Sequence, residues 1–217
     1  MQIKGKVFYK KPNHYFYRFL LLFTILINIF LYFQFSESNA NTINKNTIPP
    51  TIELQNGDVV LRNGKGLIST AFRSSSVQHK QYTHAGFVQR INNRMFVYHF
   101  IDDKENSGLH IEKLDEFINA DKCDGFAAYR YHLNEIEYRR LNSFITDTTN
   151  KLIHFDPHFD LLTDTLMYCT EWIAKTLNKA TGKKDFIPNS ISGSFTYVAP
   201  DNLYFNTPCE LIYKYKY

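Results

Sequence analysis

Two runs, Thr83 to Gln89 and Arg94 to Phe100, flank Ile91-Asn92-Asn93, and this pattern constrains the fold of the chain more than any other. Both runs are rich in side chains that suit a pleated strand, and asparagine tolerates the left-handed backbone that a tight turn needs. A β-hairpin is predicted. With a two-residue turn at Asn92-Asn93, positions 84 and 99 differ by an odd number and fall on the same face of the sheet, so His84 and His99 become cross-strand or diagonal neighbours. Diagonal neighbours lie about 7 to 8 Å apart at Cα, near enough for one imidazole to orient the other by a hydrogen bond.

Downstream, Cys169 opens a helical pattern in which Trp172, Ile173, Leu177 and Ala180 recur on one side. Thr163, Asp164 or Thr165 can cap its start, and Gly182 can end it. A cysteine on an apolar face is usually just a small buried hydrophobe. A helix N-terminus, however, has unpaired backbone N–H groups that favour the thiolate, the form in which a cysteine attacks a carbonyl. Set beside two histidines on one strand face, Cys169 completes a nucleophile, a base and an orienter, with His84 as the base and His99 behind it.

These residues belong to a series of short motifs. Gly57-Asp58-Val59-Val60-Leu61 opens the series, and Tyr82-Thr83-His84-Ala85-Gly86 follows. Phe155-Asp156 with Phe159 precedes Tyr168-Cys169-Thr170-Glu171, and Val198-Ala199-Pro200-Asp201-Asn202-Leu203 lies near the end. In order and spacing the series resembles the circularly permuted papain-like hydrolases of the NlpC-type cell-wall amidase superfamily, the YiiX-like group, over roughly residues 54 to 215. Many members place glutamate third in the catalytic set. His99 in that place resembles the His-His-Cys set of the related lecithin-retinol acyltransferase-like branch. The resemblance implies a small barrel-like sheet packed on the nucleophile helix. It also implies an oxyanion hole that uses the backbone N–H of Cys169, with Tyr82 as a possible second donor.

At the N-terminus, Lys4, Lys6, Lys10, Lys11 and Arg18 precede an apolar run from Phe19 to Phe33. Basic residues before such a run stay on the cytoplasmic side, so residues 1–40 read as an export signal or a signal anchor. Ser38-Asn39-Ala40 offers the small residues of a cleavage site, while the bulky apolar run suits an anchor, and both readings stand. This segment holds five of the 25 Lys and Arg and one of the 21 Asp and Glu; without it the chain has 20 of each. A neutral exported domain argues against nucleic acid as a partner. Residues 41–53, ending near Pro49-Pro50, read as a linker, and 54–217 as one domain.

Within that domain, Leu109 to Ile111 and Gly125 to Tyr131 read as further strands, Leu114 to Ala120 as a short helix, and Asn134-Glu135-Ile136-Glu137 as the capped start of a longer one. The fold class predicted is α+β, with a mostly antiparallel, barrel-like sheet packed against the nucleophile-bearing helix. Cys123 and Cys209 are either bridged, as in many exported proteins, or free. His154 and His158 have the spacing of helical metal ligands, but Pro157 between them disfavours the helix, so no metal and no cofactor is expected. Asp156 is expected to order the loop before the nucleophile helix. Phe100, Phe159 and Trp172 are candidates for an apolar cleft, and Tyr213 to Tyr217 for a terminal strand.

The functional expectation is an exported cysteine hydrolase with Cys169, His84 and His99 as its catalytic set. It would cut an amide or ester bond of a cell-envelope substrate, either a peptidoglycan peptide or an acyl lipid. It would work on the outer side of the cytoplasmic membrane, anchored there or periplasmic. A non-catalytic envelope binding module on the same fold is the alternative.

Overall fold

Asn92 and Asn93 both adopt positive φ, 47° and 65°, the backbone of a two-residue hairpin turn. The computed structural model describes residues 53–65, 67–103 and 107–217. The turn joins strand β2 (His84–Ile91) to β3 (Arg94–Ile101), with Ile91 opposite Arg94 and Phe87 opposite Tyr98. Around this hairpin the chain adds β1 (Val59–Gly64), helix α1 (Leu67–Ser75), β4 (Gly108–Lys113), the single turn α2 (Leu114–Phe117), β5 (Cys123–Tyr131) and α3 (Glu135–Thr148). The two-residue strands β6 (His154–Phe155) and β7 (Leu166–Met167) lead into α4 (Cys169–Thr181). A small hairpin of β8 (Ser190–Ser192) and β9 (Phe195–Tyr197), a 3₁₀ turn at Pro200–Leu203 and β10 (Cys209–Lys216) complete the chain.

The main sheet has six strands in the order β10-β5-β1-β2-β3-β4, every neighbouring pair antiparallel. The fold is α+β as predicted, but the sheet is open and not a barrel: β10 and β4 are edges that never meet. Strand alternation supplies the physical reason. Val59, Leu61, Ala85 and Phe87 pack with Leu141 and Ile145 of α3 and with Trp172, Ile173 and Leu177 of α4. The intervening Val60, Val88 and Val97 pack with Leu114 and Phe117 around α2, with Tyr213 and Tyr215 of the last strand and with Tyr217 just after it. Both faces are thus covered by apolar layers, and neither has to enclose an interior.

Local signals explain the helix ends. Asn134 accepts from the backbone N–H of Ile136 and Glu137 while Glu137 accepts from the N–H of Asn134, a reciprocal cap. The predicted helix from Leu114 is shorter than expected and stops at Phe117. Cys123 pairs opposite Gly64 and Cys209 opposite Tyr131, at the two ends of β5. Eight residues of strand separate those ends by about 26 Å, far beyond disulfide reach, and all three cysteines are free. Among the described residues no helix is long and apolar enough to cross a membrane; the Phe19–Phe33 run lies outside them.

Candidate active site

Helix α4 begins at Cys169, and three independent contacts fix that first turn. The N–H of Tyr168 donates to Glu171 Oε2 at 3.2 Å, so the cap comes from Glu171 and not from Thr163, Asp164 or Thr165, which lie in the preceding loop. Thr170 Oγ1 donates to the Val198 carbonyl at 2.7 Å, and the Val198 N–H donates to the Tyr168 hydroxyl at 2.7 Å. Asp156 orders the approach as expected, its carboxylate accepting from the N–H groups of His158 (2.8 Å) and Asp160 (3.0 Å). At the far end Gly182 closes the helix at φ 71°, where a side chain would be strained.

Cys169 lines a cleft of about 210 Å³ at the end of the sheet, where β1 runs out, β2 begins and β3 ends. His84, Phe100 and Phe159 line the same cleft. Trp172 does not; its ring packs edge-on to Phe87 at 5.1 Å and its Nε1 donates to Thr148 Oγ1. The diagonal relation of the two histidines is realised: His84 Nε2 and His99 Nδ1 share a hydrogen bond of 2.7 Å. Gly86 makes room for it. A Cβ there would stand 2.5 Å from Val97 Cγ1 and 3.0 Å from His99 Cβ.

The sequence reading missed what lies beyond His99. His99 Nε2 is 3.2 Å from Glu112 Oε1, and Glu112 Oε2 accepts from Lys122 Nζ at 2.7 Å. The register of β3 on β4 sets His99 opposite His110 and Val97 opposite Glu112, which places Glu112 on the histidine face. Alternation along Leu109 to Ile111 carried half of this signal. The register did not, because the sequence between the two strands carries no two-residue turn signal like Asn92-Asn93.

Burial governs the titration of the set. It pushes the Cys169 thiol up to about 11, although the N–H groups of Ala85, Thr170 and Cys169 itself, and the charge of Arg62, all pull it down. The lowering expected from the helix terminus is therefore outweighed in a side chain only 2% exposed. Burial also drives His84 well below 6.5, helped by Arg62 and by His99. His99 is lowered by burial too, against an opposing pull from Glu112. For Glu112, burial alone would raise the carboxyl, but contacts with His99 and Lys122 hold it at about 2. At neutral pH the set is thus a thiol, two neutral imidazoles and a carboxylate.

Tyr82 is placed elsewhere. It belongs to the main core, its ring edge-on to Tyr204 at 5.5 Å and its hydroxyl toward Tyr129, and it does not line the cleft. The donors nearest the sulfur are backbone N–H groups, Ala85 among them. His154 pairs with Leu166 in the parallel β6–β7 ladder, with no helix to align it with His158. Among the described residues no group of three or more His, Cys, Asp or Glu side chains is placed to hold a metal ion. Asp58 of the opening Gly-Asp motif pairs with Arg130 through two contacts of 2.9 and 2.8 Å, away from the cleft.

No protein-family model matches the chain, and no curated protein sequence does. Among solved structures, the crystal structure of YiiX from Escherichia coli O157:H7 superposes with a TM-score of 0.61, covering 75% of this chain and 98% of that one. The fold is YiiX-like. At 15% identity the likeness to YiiX is one of fold. YiiX is described as a metalloprotein.

Proposed function

We propose that this protein is a cysteine hydrolase of the permuted papain-like, NlpC-type kind, with a relay of four residues: Cys169, His84, His99 and Glu112. One observation carries the reading. The 2.7 Å contact between His84 Nε2 and His99 Nδ1 continues to Glu112, while His84 and Cys169 share one cleft. Ionised Glu112 attracts the proton of His99 to Nε2. His99 Nδ1 then accepts, so His84 carries its proton on Nε2 and keeps Nδ1 bare, free to act as the base in the cleft it shares with the thiol.

In the reaction His84 Nδ1 takes the thiol proton as the sulfur bonds to the carbonyl carbon of an amide or ester. The carbonyl oxygen becomes an oxyanion held by backbone N–H donors at the start of α4, Cys169 included. Collapse breaks the bond to the leaving amine or alcohol, which takes the proton from His84. Water, deprotonated by the same nitrogen, then releases the acid and restores the thiol. The basic-then-apolar N-terminus supports an envelope location, with a peptidoglycan peptide or an acyl lipid as substrate and the membrane as a contact if residues 1–40 are retained.

The metalloprotein description of YiiX does not transfer readily: His84 Nε2 is engaged by His99, and no three-ligand cluster exists among the described residues. No step is assigned to a metal. Burial of the thiol favours a second reading, a binding module on the same fold. The test is hydrolysis of a peptidoglycan digest and of a panel of acylated lipids by the full chain and by Cys169→Ala. Product formation lost in Cys169→Ala supports the enzyme. Turnover that survives the substitution removes it.

A further inference from the structure

Arg62, Lys65 and Lys122 all line the cleft that holds Cys169 and His84. The carboxylate lining it, among the described residues, is Asp102. Lys122 is already paired with Glu112 at 2.7 Å. Arg62 is different. Its Nη1 donates to a neutral acceptor, the Phe117 carbonyl at 2.9 Å, its guanidinium carbon lies 4.4 Å from the Phe117 ring centre, and the nearest contact to Glu112 is 3.6 Å. The ring and the carbonyl fix the plane of the guanidinium, and its ion pair with Glu112 is longer than the one Lys122 makes with the same carboxylate, so its charge is only partly compensated. Lys65, about half exposed, adds a second charge at the rim; it donates to the Ala120 carbonyl and stands 3.7 Å from Asp124. Four phenylalanines, Phe72, Phe100, Phe155 and Phe159, also line the cleft.

We infer that the cleft selects an acyl compound carrying an anionic group, carboxylate or phosphate, close to the carbonyl under attack. Arg62 is its principal partner and Lys65 assists at the rim. The inference rests on the proposed hydrolase reading and narrows its substrate class. A fixed, partly buried guanidinium recognises planar or tetrahedral oxyanions through parallel N–H donors, and its charge reaches further inside a half-closed cleft than in water. The phenylalanine rings of the lining then receive the uncharged part of the acyl compound.

The test uses the full chain and two alkylating reagents that differ in charge, iodoacetate and iodoacetamide. Adducts at Cys169 are counted by peptide mass at pH 7.5, and each ratio of rates is divided by that of free cysteine under the same conditions. The expected normalised ratio favours iodoacetate by about fivefold or more. It should fall toward one in Arg62→Gln and at high salt, and return in Arg62→Lys. Lys65→Gln, at an exposed position, should lower it by a smaller factor, which keeps the test open if Arg62→Gln does not fold. Protection against iodoacetamide by millimolar inorganic phosphate rather than acetate would name a phosphate, and the reverse a carboxylate. A normalised ratio near one in the wild type, a ratio unchanged by Arg62→Gln but lost in His84→Ala, or protection by neither anion overturns the inference. Failure of the hydrolase reading looks different: Cys169 then labels with iodoacetamide at a rate that His84→Ala does not alter.

Discussion

In the proposed relay Glu112 reaches Cys169 through two imidazoles, so its contribution would be to proton placement and not to contact with a substrate. Glu112→Gln removes the charge that draws the His99 proton to Nε2. The expected result is a fall of about tenfold or more in the neutral-pH reactivity of Cys169 toward iodoacetamide, with the fold intact by circular dichroism. Tyr82 makes the opposite case. Its hydroxyl faces Tyr129 in the core, so Tyr82→Phe should leave hydrolysis of an activated ester within about threefold of wild type, whereas loss of a true oxyanion donor costs about a hundredfold or more. Rates for the two proteins, measured side by side, decide whether the hydroxyl belongs to the oxyanion hole.

At the scale of elements, the hairpin and helix α4 were legible because their signals are local. Asn92-Asn93 fixes the turn and therefore the diagonal relation of His84 to His99, and the apolar spacing after Cys169 fixes which side of α4 meets the sheet. Glu112 was not legible, since its place depends on how β4 registers on β3 across a connection with no readable turn. The cap of α4 was misplaced for a related reason: Thr163 to Thr165 have capping side chains, but β7 intervenes and Glu171 does the work from inside the helix. Glu171 is fully buried, and Glu171→Ala should cost about 1 to 3 kcal/mol in urea unfolding, because the Tyr168 N–H loses its acceptor. In β2, Gly86→Ala should destabilise by about 1 to 3 kcal/mol through the Val97 and His99 clashes, and should lower Cys169 reactivity as His99 shifts.

For the molecule as a whole, an open sheet covered on both faces leaves the cleft with Cys169 and His84 at the sheet's end, where strands, α4 and the Val198 segment converge. Openness was not legible from the sequence, because it is decided by whether β10 and β4 pair, a contact between distant parts of the chain. Burying this set ties stability to pH. His84 and His99 titrate below 6.5 in the fold, so the unfolded chain binds more protons as pH drops below that value, and stability must fall. Glu112, held at about 2, adds a further loss below its unfolded value of 4.5. On the alkaline side the thiol, up at about 11, makes stability decline as pH rises from 9 toward 11. A Tm profile should therefore decline above about pH 9, and on the acid side it should fall less steeply in His84→Ala than in wild type; Glu171, raised by burial to about 7, works in the opposite direction between pH 7 and its unfolded value of 4.5 in both proteins.

The relay itself is tested most directly by the pH dependence of iodoacetamide alkylation at Cys169 in the full chain, with His84→Ala and Glu112→Gln beside it. The relay predicts a plateau of reactivity above the depressed titration of His84, followed by a second rise toward pH 11 as the buried thiol ionises unaided. His84→Ala should abolish the plateau and keep the alkaline rise, and Glu112→Gln should lower the plateau. A wild-type profile that shows only the alkaline rise, unchanged by either substitution, would contradict the relay and leave Cys169 a buried structural thiol.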